Sequence, residues 1–222
     1  MLMLWIIIPV GLVILYFVLV FMNRVKRCDG VKNVLMLMAC EFRLGWLARF
    51  LIKRGANPKA YYEDSEDEAL YYAVNNCDYR LMAFLAERIG VNREVTKKGY
   101  TPLMLAVMQR DLKMVCMLLS LSADVNAVLY ERIGDKDWMP SPLYFALESY
   151  GRLPVSPVIV ALLLHCGANA DYEYEFQENR LQYGGRTIRK LGDRFTGEIP
   201  RFFNEAGYVD KYLTDIGLLP NH

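Results

Sequence analysis

The stretch "GYTPLMLAVMQRDLKMVCMLLSLSADVNA", residues 99–127, decides how this chain is read. Thr101 is of the type that caps a helix, and Pro102 follows at the first helical position, where a missing N–H costs nothing. Leu103, Leu105, Ala106 and Met108 then supply an apolar face. Asp111 opens a second stripe, Leu112, Val115, Cys116, Leu118 and Leu119, at helical spacing. The small Ala106 suits a close approach of the two helices. Residues 122–126 then turn the chain. Such a pair of short helices has an apolar face that it cannot bury alone.

The unit recurs. With the alanine of "TPLMLA" (101–106) as register, "VLMLMA" (34–39), "EALYYA" (68–73) and "SPLYFA" (141–146) fall in phase, at steps of 34, 33 and 40 residues. Seventeen residues after Ala39 and Ala106 stand Ala56 of "GANPKA" and Ala123 of "SADVNA". Gly90 of "IGVNRE" takes that place in the second unit, and "GANAD" (167–171) arrives five residues late in the fourth. A fixed period of this length marks a solenoid of stacked supersecondary units.

The spacing and wording resemble the ankyrin repeat, whose pattern carries T-P-L-H-x-A, an apolar helix and then G-A-D-V-N. The third unit matches best and the fourth is clear at both ends. The first keeps "RGANPKA" without Thr-Pro, and the second follows by phase. Leu37, Tyr71, Met104 and Tyr144 replace the histidine of the pattern. The resemblance covers residues 34–171 and implies an all-α, helix-pair solenoid with β-hairpin fingers, binding a protein through fingers and concave face.

Residues 2–22, "LMLWIIIPVGLVILYFVLVFM", carry no charge. At 1.5 Å per residue a helix of this length spans a hydrocarbon core of about 30 Å, and Pro9 and Gly11 are tolerable inside it. The competing reading is a cleaved signal peptide. Against it stand the missing basic leader, the long apolar run and the absence of an A-x-A-like site. Arg24, Lys26 and Arg27 follow at once, in a basic juxtamembrane linker at 23–33, so the positive-inside rule places the repeats in the cytoplasm. The opposite topology stays open. Cys28 beside the membrane is either an acylation site or an ordinary thiol.

Lys plus Arg (26) nearly balances Asp plus Glu (25), so no global field recruits nucleic acid. Five widely spaced cysteines without a CxxC give neither a disulfide framework nor a zinc site, and read as reduced thiols.

Two insertions account for the irregular spacings, one in the 40-residue step and one between the helices of the fourth unit. "AVLYERIGDKDWMP" (127–140) reads as a β-hairpin finger carrying Tyr130, Arg132, Asp137, Trp138 and Met139. An aromatic and an arginine on a protruding loop are interface anchors, unless Trp138 folds back as local packing. "YGRLPVSP" (150–157) reads as a loop without a role. A third finger, "PKAYYEDSEDEA" (58–69), is acidic but lacks the D-x-D-x-D-G geometry of a calcium loop. Tyr61 and Tyr62 at its base are contact candidates. Beyond 171, "YEYEFQ" (172–177) alternates like a strand, "LQYGGRTI" (181–188) pairs back onto it, and residues 200–219 have helical spacing broken at Gly207. Residues 172–222 form a divergent cap that hides the last apolar face, or else a separate small element.

No nucleophile elbow, zinc-helix, phosphate-loop or dinucleotide motif occurs. His165 and Cys166 are sequence neighbours, which a helix points apart, so they do not make a nucleophile–base pair. The expectation is a non-catalytic, membrane-anchored adaptor or scaffold. It needs no cofactor, metal, nucleic acid or small-molecule substrate, and Tyr61, Tyr62, Arg110, Tyr130, Arg132 and Trp138 touch a protein partner. The alternatives are an immunity or inhibitor protein that neutralises a toxin or enzyme at the membrane, and a thiol enzyme using Cys166.

Overall fold

The architecture comes from a computed structural model that describes residues 22, 30–63, 67–129, 131–133, 136–138, 140–147, 157–169, 173–177, 186–190, 208–215 and 217–218. The expected membrane helix lies outside these residues except for Met22, as does the loop expected at 150–157 except for its last residue. Among the described residues no helix is long and apolar enough to cross a membrane. The chain divides into two units, Met1–Ile89 and Gly90–His222.

The first unit holds α1 (Val31–Glu41), α2 (Gly45–Lys53), α3 (Ala69–Asn75) and α4 (Tyr79–Ile89). α1 pairs with α2 and α3 with α4; across the pairs, α1 packs on α3 and α2 on α4. α1 begins at Val31, ahead of the repeat boundary expected at 34. The second unit holds α5 (Pro102–Met108), α6 (Leu112–Ser120), the hairpin β1 (Glu131–Ile133) and β2 (Lys136–Trp138), α7 (Pro142–Leu147) and α8 (Pro157–His165). The same two-by-two packing recurs, α5 on α7 and α6 on α8. The register alanines Ala39, Ala73, Ala106 and Ala146 are all buried, as a close helix–helix approach requires.

Local chemistry repeats with the helices. Thr101 Oγ1 accepts from Met104 N–H at 3.3 Å and Ser141 Oγ from Tyr144 N–H at 3.2 Å, so the residues standing where ankyrin repeats place histidine donate the capping bond. Asp78 caps α4 and Asp111 caps α6, each accepting from the backbone N–H three residues on, at 2.9 and 3.0 Å. The helix ends share one closure. At α5, Arg110 N–H donates to Val107 C=O and Asp111 N–H to Ala106 C=O, with Arg110 at φ 59°. The same two bonds recur around Arg43, Cys77, Gly55, Ser122, Gly167 and Gly217, all left-handed. This closure satisfies the last carbonyls of these helices and needs positive φ at its centre. Gly90 differs from expectation: it is itself left-handed at φ 75°, and the buried Val91 follows it where the other units place alanine.

Past the repeats, β3 (Glu173–Gln177) and β4 (Arg186–Lys190) pair antiparallel from Glu173↔Lys190 to Gln177↔Arg186. The second strand therefore lies later than the expected 181–188, beginning after Gly184 and Gly185, residues with low strand propensity. α9 (Tyr208–Asp215) starts just after Gly207 and packs on α8, with Leu213 fully buried.

Candidate partner-binding surface

Each finger begins where a helix pair has ended. In the first unit an antiparallel bridge between Tyr61 and Glu68 closes the acidic finger. Adjacent residues in extended backbone point to opposite sides. Tyr61 is accordingly 47% exposed and Tyr62 only 6%. Tyr61 offers a ring and a hydroxyl to a partner, whereas Tyr62 supports the finger from inside and has no surface to offer. Behind it Tyr71 and Tyr72 stack edge to face at 5.2 Å. Burial, and then the Asp67 carboxylate, push both phenols above the ordinary tyrosine value, so they stay neutral donors at physiological pH.

In the second unit β1 and β2 form the expected hairpin, with Arg132 opposite Asp137 and Glu131 opposite Trp138. Leu129 N–H donates to Pro140 C=O at 3.0 Å and closes its base, with Leu129 buried. Opposite charges directly across a strand pair favour this register. Tyr130 lies outside the described residues, and the Arg132 and Trp138 side chains are not described. Arg110 is exposed just beyond the far end of α5 from Thr101. It belongs to the helix-closing turn rather than to the finger side of its repeat.

A chain of asparagines that sequence reading passed over roots these features. Asn126 Oδ1 accepts from Asn169 N–H at 2.8 Å and its Nδ2 donates to Gly167 C=O at 3.0 Å. Asn92 does the same to Asp124 N–H (2.7 Å) and Ser122 C=O (2.9 Å), and Asn33 Oδ1 accepts from Asn57 N–H at 2.8 Å. One amide thus clamps the left-handed turn of the next repeat with both its donor and its acceptor. Asn126→Ala removes two such bonds. The expected loss is about 1–2 kcal/mol, modest because water reaches the site. Denaturant unfolding checks it, and an unchanged midpoint would rule the clamp out as a source of stability.

Cys40, Cys116 and Cys166 are not poised for chemistry. Burial pushes Cys40 up to about 12 and also raises Cys116 and Cys166. A thiol raised in this way is a poor nucleophile at neutral pH. Among the described residues no group of three or more His, Cys, Asp or Glu could hold a metal ion.

Residues 35–128 match the family model for ankyrin repeats, in three copies. The fourth helix pair, α7 and α8, lies beyond that match but keeps its cap, closure and asparagine clamp. No curated protein matches the chain.

Proposed function

We propose that this chain is a membrane-anchored adaptor that holds a protein partner on the fingers of its ankyrin repeats. Ankyrin repeats are protein–protein interaction modules, and that much follows from the match at residues 35–128. The observation that carries the finer reading is the hairpin of residues 131–138. It is an insertion that leaves the α5/α7 packing intact and carries Arg132 opposite Asp137 and Trp138 opposite Glu131 on a two-stranded ribbon. Arg and Trp are the side chains that most often dominate interface energetics. Tyr61 on the first unit's finger is a second contact. Arg110 is a peripheral contact, and the buried Tyr62 supports its finger without touching the partner. Residues 2–22 hold the chain in the membrane with the repeats in the cytoplasm, and residues 172–222 cap the last repeat.

Replacing Arg132 and Trp138 together with alanine weakens partner capture by at least about 30-fold, the consequence of losing an anchor worth 2 kcal/mol or more. Capture is measured by co-purification from the chain's own membranes, with circular dichroism to confirm an intact fold. Undiminished capture overturns the finger assignment. Extraction of membranes with alkaline carbonate leaves the chain in the pellet, and its release into the supernatant overturns the anchor.

A further inference from the structure

Among the described residues ten large hydrophobic side chains are exposed, and six of them, Val31, Leu35, Phe42, Leu44, Trp46 and Phe50, fall within the first helix pair. Trp46 is 64% exposed and Phe42 61%. Trp46 and Phe50 stand one helical turn apart and share a face of α2. Scattered exposed apolar residues are ordinary, but a cluster of this kind marks something that covers it.

Charge identifies the cover. Residues 23–59 carry nine Lys or Arg against two Asp or Glu, whereas the whole chain nets only +1. The remaining residues therefore net −6, so the positive charge is concentrated where the aromatics are exposed. Lys32, Arg43, Lys53 and Arg54 are exposed, and the Arg54 guanidinium lies 5.1 Å from the centre of the Phe50 ring. Aromatic rings interleaved with long cationic side chains suit the boundary between lipid headgroups and acyl chains, the rings entering and the cations remaining among phosphates. A second copy is a poor occupant, because the same cations would face each other.

Distance agrees. Eight residues, 23–30, separate Met22 from α1, and even fully extended they reach no more than about 28 Å. We infer that the Trp46–Phe50 face of α2, with the exposed Phe42 in the turn before it, docks on an anionic lipid surface, orienting the repeats on the membrane rather than leaving them to swing from a tether. This rests on the anchored reading above.

The test uses the full chain with Trp5→Phe and Trp138→Phe, so that Trp46 is its one tryptophan. It is reconstituted into phosphatidylcholine vesicles with or without about 30% phosphatidylserine, a fraction of the phosphatidylcholine carrying bromine on its acyl chains. In the anionic vesicles Trp46 emission shifts to the blue and is quenched about twofold or more by the brominated lipid. The quenching falls away in pure phosphatidylcholine and in a variant with Arg49→Glu, Lys53→Glu and Arg54→Glu that keeps its circular dichroism. A chain that floats with the vesicles while its Trp46 stays unquenched and open to iodide overturns the docking and leaves the anchor standing. Trp46 shielded from iodide yet untouched by bromine means that protein covers the face, which also overturns it. Equal quenching in both lipids removes the anionic requirement and with it the inference. A chain that does not float with vesicles at all defeats both readings.

Discussion

Gly45→Ala destabilises the first unit by about 2–3 kcal/mol, although helix propensity alone favours alanine by up to about 1 kcal/mol. Gly45 is the first residue of α2, and α2 packs on α4. A Cβ built there overlaps Asp78 Oδ2 and stands 3.0 Å from Asp78 Cγ and 3.5 Å from Leu81 Cβ. Asp78 is short and already committed: its Oδ1 accepts from Leu81 N–H at 2.9 Å and caps α4. It cannot swing aside without losing that cap, which is worth about 0.5–2 kcal/mol. The alternative, moving α2 away from α4, opens packing around Ala48, Leu81 and Leu85, all buried. Either route outweighs the propensity gain, which is weakest in the first turn. Urea unfolding measures the loss. A double-mutant cycle names the cause, because in an Asp78→Ala background Gly45→Ala becomes neutral or mildly stabilising. A cost that persists there would assign the effect to backbone spacing instead, and no cost in the parent would refute the close contact.

Gly45 was invisible in the sequence because what constrains it, Asp78, lies in the next helix pair. The phase of the repeats was legible because Thr101-Pro102 and Ser141-Pro142 announce helix starts and one small residue per unit keeps the register. The hairpin finger was legible as an insertion into that phase, and the acidic finger from the run of carboxylates between two units. What escaped depends on meetings between residues 30 or more apart in the chain: Gly45 with Asp78, Asn92 with Asp124, Asn126 with Asn169. No local pattern records such pairs. Tyr61 and Tyr62 were a different failure. Their adjacency in an extended segment already implied that only one faces outward, and alternation would have separated them. The aromatic face of the first helix pair was readable as a stripe. A stripe normally reads as core, and only the structure shows that nothing in the described chain covers it.

The helix-closing turns supply the last expected result. Arg43, Cys77, Arg110 and Ser122 occupy left-handed backbone at φ 60°, 53°, 59° and 61°, while Gly55, Gly167 and Gly217 occupy the same position in the other closures. A side chain in this region costs about 1–2 kcal/mol relative to right-handed backbone, and glycine avoids that cost. Part of the gain is returned, since glycine leaves a more disordered unfolded chain by about 0.4–1 kcal/mol. The net is about 0.5 kcal/mol per site; the Arg43 and Cys77 turns meet at Cys40 C=O, which accepts from both Arg43 N–H and Asn76 Nδ2, but these substitutions leave both bonds in place, so the changes add. A chain with Arg43→Gly, Cys77→Gly, Arg110→Gly and Ser122→Gly is therefore more stable by about 2 kcal/mol, read as a higher denaturant midpoint at unchanged slope. A midpoint that stays or falls would mean that these side chains earn their place through contacts that the backbone argument ignores. Arg110→Gly alone then separates stability from function. If Arg110 is only a turn residue, stability rises and partner capture is unchanged. If capture falls while stability rises, the strained conformation is kept for the guanidinium it displays, and Arg110 returns to the interface.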